Sequence, residues 1–534
     1  MNFFRKLISL LLVIIIASSS VSMTACSGDK GSLEPAADPI DDNYRTFYQI
    51  FVGSFSDSNG DGIGDLRGII NRFDYLNDGN INSGESLGVQ GIWLSPIFQS
   101  PSYHKYDAID YYQVDKKFGT EEDLKELIEI CHERNVKIIL DLVINHSSSL
   151  NKWFIEFCSA RQNGDTENKY YDYYSCVTKS ERDILKSYKQ IYGVDWWYEC
   201  NFSTEMPELN FDNPDVREEM LDLAKYYLDL GIDGFRFDAV KYVYYNDTEK
   251  SVDFWKWYMD ELTAYKSDIY CVGECWSPEY EIIEYCSAMN CFNFGMSGSE
   301  GKVTVAAKGT SNIGVFTRYI ENYQDKVQKA NPNGMPMSFL SNHDMDRIAG
   351  TFILESNMKM AANLYLLSPG SPMIYYGEEI GIKGSRGSAM TDANRRLAML
   401  WGDGDTIKNP EGSTYLTKYQ ITTTVQDQLS DENSMLRYYQ ALIALRHKYP
   451  EIARGDYNSV SSDNNNFGGF YIEYNGSITG LFHNTSSEAI TIDLDDLDGL
   501  DGHSFSKLCD AIGGEAKLKR GKLTIDAYTS VILK

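Results

Sequence analysis

The sequence predicts a (β/α)8 barrel with an inserted subdomain after its third strand, followed by a C-terminal antiparallel β-sandwich domain. Three observations lead there. Between residues 44 and 449, short apolar runs alternate about eight times with helical patterns, as in a parallel sheet wrapped by helices. Polar and charged residues collect at the C-terminal ends of those runs, where such a barrel keeps its chemistry. Beyond Pro450 the pattern changes to short strands without helices.

The chain begins with an export pattern. Arg5 and Lys6 precede an apolar run from Leu7 to Ala17, broken only by Ser9. That run is too short to span a bilayer comfortably and suits a signal-peptide core. Met23-Thr24-Ala25-Cys26 follows and resembles a bacterial lipobox, in which Cys26 is lipidated and becomes the first residue. Residues 1–25 are therefore expected to be a lipoprotein signal peptide. Residues 26–43, small, polar and acidic, are expected to be a flexible tether. The protein is then extracellular and anchored to the cell membrane through Cys26, or secreted if the signal is an ordinary one.

The formal charge is −28, and loss of residues 1–25 leaves 47 Lys and Arg against 77 Asp and Glu. Nucleic acid is excluded as a partner, because phosphate binding needs basic patches. An uncharged substrate or a cation dependence fits. The 38 Tyr and 8 Trp fill cores first, but exposed ones form carbohydrate platforms. Ten cysteines less Cys26 leave nine, an odd number without zinc spacing or a CxxC pair. They read as structural, with at least one thiol free or paired with another chain and disulfides among the others open in an extracellular setting. A monomer is expected.

Within the barrel, taken as residues 44–146 and 208–449, Phe47 to Phe55 reads as the first strand. The loop after it places Asp57, Asn59, Asp61 and Asp65 at positions 1, 3, 5 and 9, with Gly62 at 6 and the Ile63 carbonyl at 7. That spacing wraps a hard cation, so a structural Ca2+ is expected there. The loop departs from an EF-hand because position 12 is Gly68. A helix over 66–76 leads to a strand over 91–97, then to the aromatic and polar loop 101–107. A helix over 120–134 precedes the near-continuous apolar run 136–146, a strand buried on both faces.

Residues 147–207 break the rhythm and form the inserted domain. Asn213-Pro214-Asp215 then caps a helix through Tyr227 that feeds the run Gly231 to Tyr242. On a strand, Phe235, Phe237 and Ala239 face one way while Arg236, Asp238 and Val240 face the other. Further strands are expected at 269–276, near 291–294, at 336–344 and at 371–379. A last barrel helix over 434–448 precedes the β domain, residues 450–534.

Three carboxylates, Asp238, Glu274 and Asp344, thus stand at the ends of different strands, accompanied by Arg236, His146 and His343. No Ser-His-Asp arrangement, phosphate loop or dinucleotide fingerprint competes with them. Convergent carboxylates with aromatic neighbours suggest glycoside hydrolysis.

Four segments carry a resemblance: DLVINH at 141–146, GFRFDAVKY at 234–242, GE at 273–274 and FLSNHD at 339–344, with MPELN at 206–210 as a fifth. Over residues 44–534 the chain resembles the α-amylase family (glycoside hydrolase family 13), near its intermediary and oligo-1,6-glucosidase- or neopullulanase-like members. The resemblance implies that Asp238 is the nucleophile, Glu274 the acid/base and Asp344 the transition-state stabiliser. It implies substrate contacts from Tyr106, His104, Asp107, His146, Arg236, Lys241, His343 and Arg347. In many α-amylases the lysine of the second segment is followed by a His whose backbone helps bind a calcium beside the inserted domain. Here that residue is Tyr242, although Asn145 matches another ligand position. Ala239, Lys241 and Tyr103 favour endo-cleavage of α-1,4-glucan by analogy with relatives. The expected activity is retaining hydrolysis of internal α-1,4 bonds of starch or maltooligosaccharides. The alternatives on the same scaffold are an α-glucosidase, a cyclomaltodextrinase or neopullulanase, and a 4-α-glucanotransferase. A non-catalytic starch-binding protein is the reading from another class.

Overall fold

Residues 42–80 and 83–534 are described by a computed structural model. The signal peptide, Cys26 and the tether through residue 41 lie outside the described residues. Seven short parallel strands form one sheet: β1 (Phe47–Ile50), β2 (Gly91–Leu94), β3 (Lys137–Leu142), β4 (Gly234–Phe237), β5 (Tyr270–Gly273), β6 (Asn290–Cys291) and β7 (Met373–Tyr375). Their order is β6-β5-β4-β3-β2-β1-β7. The eighth position belongs to residues 337–339, held by single parallel bridges Phe292↔Met337 and Phe339↔Met373, which close the sheet into a barrel. The expected strand there is reduced to two bridges.

The interior is filled by large side chains, among them Phe47, Trp93, Ile139, Tyr270, Met337 and Phe339. Such a filled interior is a core and not a pore. Outside it, helices begin where side chains satisfy their first N–H groups. Asp65 caps α1 (Leu66–Asn71), Thr120 and Asp123 form a capping box on α2 (Glu121–Glu133), and Asn213 caps α3 (Pro214–Asp229). The helix expected over 66–76 is two pieces, because the chain leaves helical geometry at Arg72. Asp247 caps α4 (Thr248–Tyr265).

The alternation predicted for β4 is present. Phe237 packs on Trp255 and Tyr258 of α4, whereas Arg236 points inward with no exposure. The strand is shorter than expected. It ends at Phe237, Ala239 turns to φ 49°, and Val240–Tyr242 form a 3-10 turn. Asp238 therefore sits on a corner at the mouth of the barrel.

The inserted domain contains a helix, Lys152–Asn163, and a three-stranded antiparallel sheet. In that sheet Trp197–Glu199 lies between Cys176–Val177 and Tyr188–Gln190. The C-terminal domain has a five-stranded antiparallel sheet and a three-stranded one, which enclose Val460, Phe467, Phe482, Leu523, Ile525 and Val531. It is seated on the barrel through α5 (Ile313–Ala330). There Gln324 donates to the Gly455 carbonyl and accepts from Tyr457 N–H, and Phe316 meets Phe470 edge to face. All nine cysteines among the described residues are free thiols.

The start of β4 tolerates only glycine. Gly234 has φ +157°, and a Cβ there would lie 1.8 Å from the Tyr270 carbonyl oxygen of β5. Backbone on both sides leaves no room to relax. Gly234→Ala is expected to destabilise the protein by about 3 kcal/mol or more, the upper end for overpacking. Chemical denaturation reads this directly, and a parent-like midpoint would refute the argument.

Candidate active site

The site is assembled around Arg236. Its Nη1 donates to Asp141 Oδ1 at 2.8 Å and to Asp238 Oδ1 at 2.6 Å, and its Nη2 lies 3.6 Å from Glu274 Oε2. The guanidinium also lies over the Trp93 ring. Burial works against its charge, but Asp141 and Asp238 outweigh burial and hold its pKa well above the usual arginine value. Asp141 is fully buried, accepts from Tyr106 Oη at 2.8 Å and from Trp93 Nε1 at 3.2 Å, and is pushed up to about 6 by burial.

Asp238 and Glu274 are buried but keep an edge open at the barrel mouth. The turn at Ala239 brings its N–H to within 3.0 Å of Glu274 Oε2, so the corner after Asp238 is tied to the neighbouring carboxyl. Burial pushes the Glu274 pKa up to about 8; the charges of Asp238 and Asp344 add to this, and Arg236 opposes it. Asp344 behaves in the opposite way. Burial alone would raise its pKa, but His343 and Arg396 hold it well below the usual carboxylate range. Its Oδ2 is 2.9 Å from His343 Nε2 and its Oδ1 is 2.7 Å from Arg396 Nη2. One mouth thus holds a carboxyl whose pKa is raised and another whose pKa is lowered.

Several other expected residues converge here. Tyr106 stacks flat on His343 at 5.3 Å, and its hydroxyl is 2.5 Å from His343 Nε2. Gln49 fixes the other ring nitrogen at 2.7 Å. His146 sits with Nε2 3.1 Å from the Tyr106 carbonyl, and burial lowers its pKa. His104 Nδ1 lies 3.1 Å from Ser102 Oγ and 4.0 Å from Asp107, and burial lowers its pKa to about 4. Asp107 accepts from Ser100 and Ser102 and braces this loop. Lys241 reaches the Trp276 carbonyl at 2.7 Å and Ser277 Oγ at 3.2 Å.

Arg347 is not among them. Its guanidinium is buried on Tyr375 and Tyr376 and donates to the Arg395 and Tyr376 carbonyls. The arginine at Asp344 is Arg396, which also donates to the His343 carbonyl and to Tyr103 Oη. Sequence reasoning passed over Arg396 because it lies in irregular chain after β7, beside a second arginine, with no strand pattern to place it. Asp141 was also without a role. Its signal was a charge inside an otherwise apolar strand.

The loop 57–65 is folded tightly on itself. Asp57 accepts from Gly62 N at 2.7 Å, Asn59 from Asp61 N at 2.9 Å and Asp61 from Ile63 N at 2.8 Å, while Asp65 accepts from Gly68 N at 2.6 Å and Ser58 N at 3.1 Å. Three carboxylates, an amide oxygen and the Ile63 carbonyl have the donor chemistry of a hard cation. Among the described residues, however, no group of three or more His, Cys, Asp or Glu side chains is arranged to hold a metal ion.

No helix among the described residues is long and apolar enough to cross a membrane.

Residues 49–455 match the α-amylase catalytic-domain model. The chain is 34% identical over 495 residues to α-amylase 3 of Dictyoglomus thermophilum, which spans 91% of this chain and 92% of that protein. It is 34% identical over 349 residues to a 4-α-glucanotransferase of Thermotoga maritima, covering 63% and 72%. The solved structure of Eubacterium rectale Amy13B, 34% identical, superposes with a TM-score of 0.83 over 92% of this chain and 96% of that one. With the barrel, its C-terminal β domain and the carboxylates at its mouth, these likenesses show that the chain belongs to the α-amylase family, glycoside hydrolase family 13.

Proposed function

We propose that the protein is a retaining glycoside hydrolase of α-amylase type that cuts internal α-1,4 bonds of starch and maltooligosaccharides. The observation that carries this is the pairing of Asp238, anchored on Arg236, with the buried Glu274, whose pKa is pushed up to about 8. Glu274 donates its proton to the leaving glycosidic oxygen while an Asp238 oxygen attacks the anomeric carbon, giving a glycosyl ester. Glu274, now ionised, takes a proton from water, which attacks the same carbon and releases Asp238. Asp344, ionised, holds sugar hydroxyls and stabilises positive charge on the ring. Tyr106 offers a flat face to that ring, and His146 and His343 offer hydrogen bonds.

A second reading, transfer to a sugar acceptor, is favoured by the aromatic faces beside Glu274. Trp276 is half exposed and stacks on Phe294, and Tyr242 stacks flat on Tyr245 and packs against Phe202. Such faces hold a sugar in competition with water. One of the relatives is a 4-α-glucanotransferase.

We further propose that loop 57–65 binds Ca2+ as a structural ion, through Asp57, Asn59, Asp61, Asp65 and the Ile63 carbonyl. We also propose that lipidated Cys26 anchors the enzyme outside the cell. Membrane fractionation of the parent and of Cys26→Ser tests the anchor.

A product time course on amylose and pullulan tests the activity. Endo-cleavage is expected to drop chain length before glucose accumulates, and Asp238→Asn is expected to lose at least about 10³-fold in kcat. Glucose appearing alone from the start would overturn the endo reading. Products longer than maltotriose from maltotriose would establish transfer.

The pH profile follows from Glu274. Its protonated form is the reactive one, so kcat/KM is expected to fall as pH rises through about 8. A profile flat to pH 10 would remove Glu274 from the acid role.

Chelation is expected to lower the melting temperature by several degrees in the parent and not in Asp57→Asn. Equal melting temperatures with and without excess chelator, in a protein shown free of metal, would argue against the ion.

A further inference from the structure

The seam between the inserted domain and the barrel is where the family resemblance implies a calcium, near Asn145 and residue 242. The groups at that seam are otherwise engaged. The Asn145 carbonyl accepts from Leu209 N at 3.0 Å, and its amide nitrogen is 3.3 Å from His146 Nδ1. Tyr242 packs its ring against Phe202 and Tyr245. The acidic groups of the seam are Glu199, the last residue of the central strand of the inserted sheet, and Glu208, whose backbone bridges to His146. Both are buried.

Their oxygens are claimed by two amide groups of one asparagine and by one ammonium. Asn201 donates its backbone N–H to Glu208 Oε1 at 2.9 Å and its side-chain nitrogen to Glu199 Oε1 at 2.7 Å. Lys186 Nζ donates to Glu199 Oε2 at 2.9 Å. The Lys186 side chain is 22% exposed, so most of its stem and charge have left water. A backbone bond from Glu208 N to the Glu199 carbonyl, 3.0 Å, keeps the two acids side by side. Burial, and then the Glu199 charge, push the Glu208 pKa up to about 8, while the Asn201 hydrogen bonds and the Lys186 charge draw it back, so a positive charge beside the pair is what favours ionising both acids. A lysine carried on the same chain supplies it at a fixed, high local concentration, which a dissolved ion has to match. An ammonium lodged there repels any divalent ion that approaches.

We propose that Lys186 is the built-in cation of this seam, standing in place of a divalent ion, and that removing its ammonium uncovers a latent divalent-cation site built on Glu199 and Glu208. The two carboxyls suit a hard cation such as Ca2+, and the neighbouring Cys200 thiol, pushed up to about 11 by burial and by the Glu208 and Glu199 charges, keeps its proton.

Calcium stoichiometry and melting temperature of the purified full-length enzyme test this, with CaCl2 as the probe. Lys186→Met is expected to bind one more Ca2+ per chain than the parent and to gain several degrees on Ca2+ addition. Lys186→Met/Glu208→Gln is expected to lose both gains, and Lys186→Arg, which keeps the charge, to match the parent. The ion of loop 57–65, if present, is common to all these proteins and cancels. The proposal is overturned if Lys186→Met takes up no additional ion, or if Glu208→Gln alone lowers the parent's stoichiometry. Should Lys186→Met fail to fold without added ions, recovery in Ca2+ but not in NaCl of equal ionic strength supports the proposal, and failure in both overturns it.

Discussion

The buried Arg236 is the constraint on which the site depends. A guanidinium cannot shed its charge in the barrel interior, so the fold has to bring anions to it. Two come directly, Asp141 from β3 and Asp238 from the corner after β4, and Glu274 approaches from the residue after β5. Three adjacent strands are thereby registered at their C-terminal ends by one side chain. Neither Nε nor Nη2 of Arg236 has a hydrogen-bond partner, so the guanidinium is saturated on the side of the two aspartates and under-used on the side of Glu274. That asymmetry leaves Glu274 in a mostly desolvated place without a short ion pair, where a carboxyl keeps its proton.

Glu274 and Asp344 show how neighbours decide whether burial raises a carboxyl or is overridden. Glu274 is buried, while Asp344 keeps a third of its side chain exposed. Asp344 gains a histidine on one oxygen and Arg396 on the other, which outweigh its burial. Glu274 receives one backbone N–H and a cation 3.6 Å away, while two other carboxylates lie close enough to raise it further. The two groups therefore separate in proton affinity across a single cleft, as acid–base catalysis on a sugar requires.

Much of this was legible because it is local. Arg236 and Asp238 lie two residues apart, so a period of two puts both on the inner face before any fold is known. The strand-end carboxylates follow from the barrel rule. What escaped depends on distant chain. Arg396 meets Asp344 from 52 residues downstream, out of a segment with neither helical nor strand period, whereas Arg347, nearer in sequence, turns into the aromatic wall of Tyr375 and Tyr376. Lys186 belongs to a Tyr-rich insertion whose only sequence signal was the break in rhythm. Strand ends were overrun for the same reason: hydrophobic periodicity carries on through Val240, but pairing stops where the backbone turns.

That turn links the parts. Ala239 occupies a left-handed conformation that costs a residue with a Cβ about 1 kcal/mol, and its N–H faces Glu274 as a result. The strain is held by the packing that follows, with Val240 fully buried and its carbonyl bonded by Trp255 Nε1 of α4 at 2.8 Å. From the same corner the chain sends Lys241 across to the Trp276 carbonyl and Tyr242 against Phe202 of the inserted domain. Four consecutive residues therefore connect the Asp238 carboxylate, the backbone after Glu274 and the inserted domain. A shift of the inserted domain acts on Tyr242 first, and the short 3-10 turn leaves little slack before Ala239 and Asp238. The packing of Phe202 on Tyr242 thus ties the inserted domain to the corner that carries Asp238.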